Sequence, residues 1–352
     1  MKKLIIFLIL FLIPINTYAL ASTSSSAILY DQDSKRVLYS KNINTKHLIA
    51  STTKIMTAVI AIESGKLDNK VTTNESILKS YGSGIYISLN ETMTLRELVY
   101  GLLLRSGNDA ALAIEDYLGG HEKFVKVMNQ KANEIGMKNT IFNNVHGLDE
   151  NEENYSTCYD MAILMSYANN LYEFREISST KKIVVKSDLK TYSWTNKNKL
   201  LFSYKNIKGG QTGFTVKARR TLVTTATKDN LNLAVVTLND GNDFKDHQDL
   251  FEYGFNNYTN YQILKKGTIN IPDTNNELEY YIENDYTYPL LETEENSILI
   301  KYKLEKNPKE NAGEIEIYLG DKLLHKETIL SKQKEKQEKK SILQKIKDLF
   351  KW

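Results

Sequence analysis

The chain has 352 residues, 41% of them hydrophobic, a formal charge of +3 and a single cysteine. A charge so near balance excludes a polyanion binder that works through its whole surface, so nucleic acid is not an expected partner. One cysteine excludes an intramolecular disulfide, which leaves stability to the core, and the length suits two domains.

Lys2 and Lys3 precede an apolar run from Leu4 to Ile13, and Ala19-Leu20-Ala21 has small residues at the A-x-A spacing. This reads as a secretory signal peptide over 1–21. Pro14, Asn16 and Thr17 interrupt the run well short of the roughly 20 apolar residues a membrane span needs. The mature chain is thus expected outside the cytoplasmic membrane, starting near Ser22. After the low-complexity joint Ser22–Ser26, Ala27–Asp31 and Arg36–Tyr39 flank a polar Gln32–Lys35, the pattern of a hairpin.

Helical periodicity then dominates from Ser51 to about Phe174. If Ser51 opens a helix, Lys54 in Ser51-Thr-Thr-Lys54 falls one turn later on the same face, so hydroxyl and amine can touch. A serine alcohol is a weak nucleophile, and a lysine amine can activate it when burial and nearby positive charge lower its pKa. The helix N-terminus also aims N–H groups at developing negative charge. Alone the spacing is weak, since S-x-x-K arises by chance about once or twice in a chain this long.

Thr94 and Glu97 form a capping box ahead of an apolar helix over Leu95–Leu104, and a second helix covers Asp109–Tyr117. Between them lies Ser106-Gly107-Asn108, where Ser106 can relay a proton and Asn108 can bond Lys54 or a substrate amide. Taken alone it reads better as a helix C-cap followed by an N-cap. Cys158, in N-Y-S-T-C-Y-D, has no partner beside it and reads as a buried thiol.

Strand-like runs return at Lys182–Val185, Thr221–Ala226 and Leu233–Leu238, so a sheet drawn from both ends of the sequence with helices between gives an α+β catalytic domain over 22–261. Gln211-Thr212-Gly213 follows Gly209-Gly210 and precedes the basic Lys217–Arg220. A glycine there lets a substrate strand lie along a sheet edge, and Thr212 offers a hydroxyl to a carboxylate. By itself this stretch reads better as a glycine-rich hairpin entering a strand.

Residues 262–330 read as a small all-β domain, with Tyr280–Ile282, Ser297–Leu304 and Gly313–Leu319 as strands between turns. From Lys332 eight lysines face Glu335, Glu338 and Asp348, and Ile342, Leu343, Ile346, Leu349 and Phe350 recur at helical spacing before Trp352. The tail 331–352 therefore suits an anionic membrane surface, or else packs on the domain before it.

In combination S-x-x-K, S-x-N and a K-T-G-like strand, in that order, resemble the penicillin-binding protein and serine β-lactamase superfamily. Ala50–Thr57, Tyr100–Asp109, His146-Gly-Leu-Asp149, Trp194-Thr-Asn196 and Leu200 are most similar to its low-molecular-weight D-alanyl-D-alanine carboxypeptidases. The resemblance covers about Ala27–Phe255, and the β-rich segment and basic tail are also similar. It implies a sheet flanked by helices, followed by a small all-β domain. It implies Ser51 as acyl-enzyme nucleophile, Lys54 as base, Ser106 and Asn108 as the proton relay, and Gln211, Thr212 and Gly213 as the substrate-binding strand. The substrates implied are peptidoglycan stem peptides ending in D-Ala-D-Ala, with β-lactams as inhibitors and no metal or organic cofactor.

One position departs from the pattern: Gln211 stands where the family has Lys, sometimes His. Lys208, three residues earlier, points to the opposite face of a strand. Loss of the charge is expected to weaken substrate capture about tenfold unless another cation reaches in, Arg219 and Arg220 being the candidates. His146 reads as a loop-positioning residue and His247 as structural. Two rival functions stay open: a β-lactamase, although no deacylating loop carboxylate is identified, and a non-catalytic wall-binding scaffold impaired at Gln211.

Overall fold

The computed structural model describes residues 22–334 apart from 273, 275, 276, 307 and 309. The segment expected as a signal peptide, 1–21, and the expected amphipathic tail 331–352 from 335 onward lie outside the described residues. The described residues divide into two compact units, one of 22–228 together with 232–256, the other of 229–231 with 257–334.

The first unit opens on β1 (Ser26–Asp31) and β2 (Val37–Lys41), the expected hairpin, and the short β3 (His47–Leu48). Next come α1 (Lys54–Glu63), β4 (Lys70–Thr72) and β5 (Thr92–Thr94), then α2 (Leu95–Arg105), α3 (Asn108–Tyr117) and α4 (His121–Ile135). β6 (Tyr155–Ser156), α5 (Cys158–Asn170) and α6 (Tyr172–Ser179) complete the helical stretch. The return to strands brings β7 (Lys182–Lys186), β8 (Thr191–Thr195), the single turn α7 (Leu200–Ser203), β9 (Ile207–Thr215), β10 (Arg219–Lys228) and β11 (Leu231–Asp240). Helix α8 (Asp243–Asn257), not anticipated from sequence, ends this part of the chain.

Five strands form the main sheet in the order β2-β1-β11-β10-β9, so its strands do come from both ends of the sequence. β1 is wholly buried because both its faces are covered. Ile28 and Tyr30 join the core built on the helices, whereas the intervening Leu29 lies against Gly254 of α8. The run at Lys182–Val185 does not enter this sheet. It pairs with β8 as a separate two-stranded ribbon.

Helix α1 is apolar on every side and buried along all but its last residue, as a helix at the centre of a core must be. Helix α2 begins at the expected capping box, with both Thr94–Glu97 bonds formed, and stops where Ser106 adopts the left-handed conformation. Cys158 is fully buried at the start of α5, and burial pushes its thiol pKa up, which keeps it unreactive.

The second unit contains β12 (Tyr258–Leu264) paired with β15 (Tyr286–Leu291). Its sheet has the order β13-β14-β18-β17-β16, with β13 (Gly267–Ile269), β14 (Leu278–Ile282), β16 (Ile298–Leu304), β17 (Asn311–Leu319) and β18 (Lys322–Gln333). Tyr280, Ile282, Ile315, Ile317 and Ile329 form its core. β18 runs three residues past Leu330, where the sequence reading ended the domain.

Candidate active site

A 3-10 turn over Ala50–Thr53 leads directly into α1, so Ser51 and Lys54 stand one turn apart on a continuous helical segment. Lys54 is completely buried, and its Nζ contacts three oxygens: Ser51 Oγ at 3.0 Å, Asn108 Oδ1 at 2.7 Å and the His146 carbonyl at 2.7 Å. Two of these only accept hydrogen bonds. A neutral amine has two N–H groups to give them, and its lone pair is then left facing the Ser51 hydroxyl. The environment favours that neutral form. Burial, then the positive charge of Lys197, lower the Lys54 pKa well below its ordinary value, and the Asp109 carboxylate opposes them.

Asn108, the first residue of α3, is fixed at both ends of its amide: Oδ1 takes the Lys54 bond, while Nδ2 donates to the Tyr81 carbonyl at 2.5 Å. The Asp109 carboxylate accepts the backbone N–H groups of Ile85, Tyr86 and Ile87, which holds the loop before β5 beside the cleft. Ser106 is buried and accepts a hydrogen bond from Gln211 Nε2 at 3.3 Å.

Strand β9 is one of the two edge strands of the main sheet. A Cβ on Gly213 would lie 2.9 Å from the Ser51 backbone nitrogen and 2.3 Å from Thr221 Oγ1, so only glycine lets this strand come so close to Ser51. Gly147 has a matching role from the other side. Its φ of +85° and the 1.8 Å between a built Cβ and the Ala50 carbonyl oxygen both require glycine. The His146–Asp149 loop is tied to the end of β9, because the Thr215 hydroxyl donates to Asp149 Oδ2. His146 fits its expected part: Nδ1 accepts the Leu148 N–H, and burial, with Lys54 and His121 nearby, lowers its pKa to about 3. His247 is fully buried between the hydroxyls of Thr224 and Thr237, away from this cleft.

A cavity of about 510 Å³ is lined by Ser51, Ser106, Thr212 and Gly213 of the expected set, together with Ser83, Lys197, Lys199, Phe214, Arg220, Asp243 and Phe244. Such a combination of a base-contacted serine, a second serine and an open strand edge suits acyl transfer through a covalent ester. Among the described residues no group of His, Cys, Asp or Glu side chains is arranged to ligate a metal. The model of the D-alanyl-D-alanine carboxypeptidase family S11 matches residues 15–242.

This chain belongs to the D-alanyl-D-alanine carboxypeptidase family. DacF of Bacillus subtilis, a D-alanyl-D-alanine carboxypeptidase, is 37% identical over 227 residues, which is 62% of this chain and 58% of DacF. DacD of Escherichia coli is 29% identical over 85% of this chain and 83% of its own length. The structure of penicillin binding protein 5 from Haemophilus influenzae superposes with a TM-score of 0.76 at 26% identity, covering 89% of this chain and 97% of that one.

Gln211 stands at the position where the sequence resemblance implies a lysine. Gln211 is buried, and its Oε1 has no hydrogen-bond partner among the described residues. Lys208 is exposed and lines a different cavity, with Asn169 and Glu176, so it brings no charge to the cleft beside Gln211. Of the two candidate arginines only Arg220 lines the cleft, and its guanidinium is paired with Asp243 at 3.2 Å. Lys197 carries no sequence signal of its own: it follows Asn196 of the Trp194-Thr-Asn196 stretch, but nothing local says that this segment folds onto the end of α2.

Proposed function

We propose that this protein is a serine-type D-Ala-D-Ala carboxypeptidase acting on peptidoglycan stem peptides outside the cytoplasmic membrane. The observation that carries the reading is the Lys54 amine, buried, held by two acceptors and turned toward Ser51 Oγ. In the first step Ser51 Oγ gives its proton to Lys54 Nζ and attacks the carbonyl carbon of the penultimate D-alanine. The tetrahedral intermediate collapses as the C–N bond breaks, and Ser106 passes the proton from Lys54 to the departing nitrogen. Free D-alanine leaves, and the shortened peptide stays esterified to Ser51. Water, deprotonated by Lys54, then attacks the ester carbonyl and restores the serine.

A β-lactam offers the same acyl chemistry but keeps its leaving group tethered, so it should remain on Ser51 as an ester. The basic amphipathic tail would hold the enzyme at the membrane surface. Labelling by a fluorescent penicillin followed by a D-alanine release assay tests the reading, with Ser51→Ala as control. Labelling with release, both lost in Ser51→Ala, is expected. Rapid penicillin turnover would point to a β-lactamase, and absence of both labelling and release to a scaffold.

A further inference from the structure

We propose that Lys197 is the cation that receives the substrate's terminal carboxylate in this chain, the duty that its family gives to a lysine at the position of Gln211. The inference rests on the carboxypeptidase reading and names the recognition group within it. Four cationic side chains line or border the cleft: Lys54, Lys197, Lys199 and Arg220. Lys54 is committed to Ser51, Asn108 and the His146 carbonyl. Arg220 already faces a carboxylate, that of the nearly buried Asp243, which also accepts the Phe244 N–H. An incoming carboxylate would have to displace Asp243 and would be repelled by it. Lys199 is exposed at the rim.

Lys197 differs from all three. It is half-buried, and its Nζ donates to a neutral oxygen, Ser83 Oγ, at 2.8 Å. A desolvated ammonium with only a hydroxyl for a partner is incompletely compensated, and a ligand carboxylate would complete it. Consistent with that, burial and the neighbouring Arg105 lower its pKa. Its backbone is anchored, because the Lys197 N–H donates to the Leu104 carbonyl at 3.0 Å and Arg105 Nη1 donates to the Thr195 carbonyl at 3.0 Å. The flanking Asn196 and Asn198 are buried, and the Asn196 amide holds the Ser178 and Thr180 carbonyls. The ammonium is therefore delivered to the mouth of the Ser51–Ser106–Thr212 cavity by a fixed strut.

The test compares two pairs of probes on the full-length mature protein: an N-acylated peptide ending in D-Ala-D-Ala against its C-terminal amide, and a penicillin against its methyl ester. The readouts are kcat/KM for release of D-alanine or its amide, and the second-order rate of adduct formation by mass spectrometry. A charge-assisted contact should favour the free acid about tenfold in the parent. Lys197→Gln, compared with the parent on the alkaline plateau where Lys54 is neutral in both, should remove that preference by slowing the acid about tenfold and the neutral analogue less than twofold. Lys197→Arg should keep most of it, and Gln211→Lys should restore it in the Lys197→Gln background. Equal losses for acid and neutral probes, or an unchanged ratio, would overturn the proposal, as would a ratio that collapses in Arg220→Gln instead. A parent that forms the penicillin adduct without releasing D-alanine would sink the carboxypeptidase reading, while the penicillin pair would still decide Lys197.

Discussion

In the proposed mechanism Lys54 has to be neutral when Ser51 attacks, and that requirement fixes the direction of the pH dependence. Acylation should fall as pH drops through the lowered pKa of this amine, because the protonated form has no lone pair to accept the serine proton. Lys197 contributes to the lowering, and Asp109 works against it. In Lys197→Gln the Lys54 pKa rises toward its ordinary value, so the acid limb of the acylation profile should move to higher pH. A stopped-flow profile with a chromogenic penicillin reads this directly, and superimposable limbs would contradict it. Lys54→Ala itself should cost about 10²–10⁴ in acylation rate, the usual worth of a positioned proton acceptor. Gly147→Ala makes a steric rather than an electrostatic demand. The new Cβ must push the Ala50 carbonyl away from a backbone held at φ +85°, which displaces the residue before Ser51. Overpacking of this kind costs about 1–3 kcal/mol. The variant should melt lower and acylate more slowly, and an unchanged acylation rate would show that Ser51 does not depend on this loop.

At the scale of elements, α2 couples a helix cap to the active site. Its N-terminus is closed by the reciprocal Thr94–Glu97 bonds and its C-terminus delivers Ser106. Thr94→Ala removes one half of the box, at a cost of about 1 kcal/mol. The melting temperature of the catalytic unit should therefore drop by about 2–4 °C. Because the helix is gripped along its length by buried leucines, Ser106 should stay in place and kcat/KM should change less than twofold. A large fall in activity with unchanged melting would mean that the cap tunes the site and not the stability. The same helix shows what a sequence discloses. The capping box and the spacing of Ser51 to Lys54 are local, set by helical periodicity over a single turn, and both were readable. Ser106-Gly107-Asn108 was readable only as part of a set, because a helix end looks the same with or without a function. Lys197 was out of reach. Its place in the cleft depends on a backbone bond to Leu104, from a distant part of the chain, and on the β7–β8 ribbon, whose partner strand the alternation of Lys182–Val185 does not name. The pairing of Arg220 with Asp243 was hidden for the same reason, since α8 was not foreseen and Asp243 is its first residue.

Across the whole molecule the response to acid depends on groups buried without charge. His247 is enclosed between β10, β11 and α8, and its ring contacts the hydroxyls of Thr224 and Thr237 while burial lowers its pKa from 6.5 to about 3. Between these two values the unfolded chain binds a proton that the folded chain refuses, so stability must fall as pH drops through that window. The largest slope one such group can add is about 1.4 kcal/mol per pH unit. Asp31, Glu115 and Asp243 have raised pKa values and act in the opposite sense near the carboxylate range, so the net curve of the parent is a sum of opposing contributions. The contribution of the histidine is isolated by comparison with His247→Gln, which retains hydrogen-bonding groups at that position but cannot titrate. Urea midpoints followed by Trp194 fluorescence in a Trp352→Phe background, between pH 6.0 and 4.5, should decline more steeply in the parent than in the variant. The difference should be about 1 kcal/mol per pH unit. Parallel lines would show that the ring takes up its proton without unfolding the sheet, and the burial argument for His247 as a structural residue would then fail.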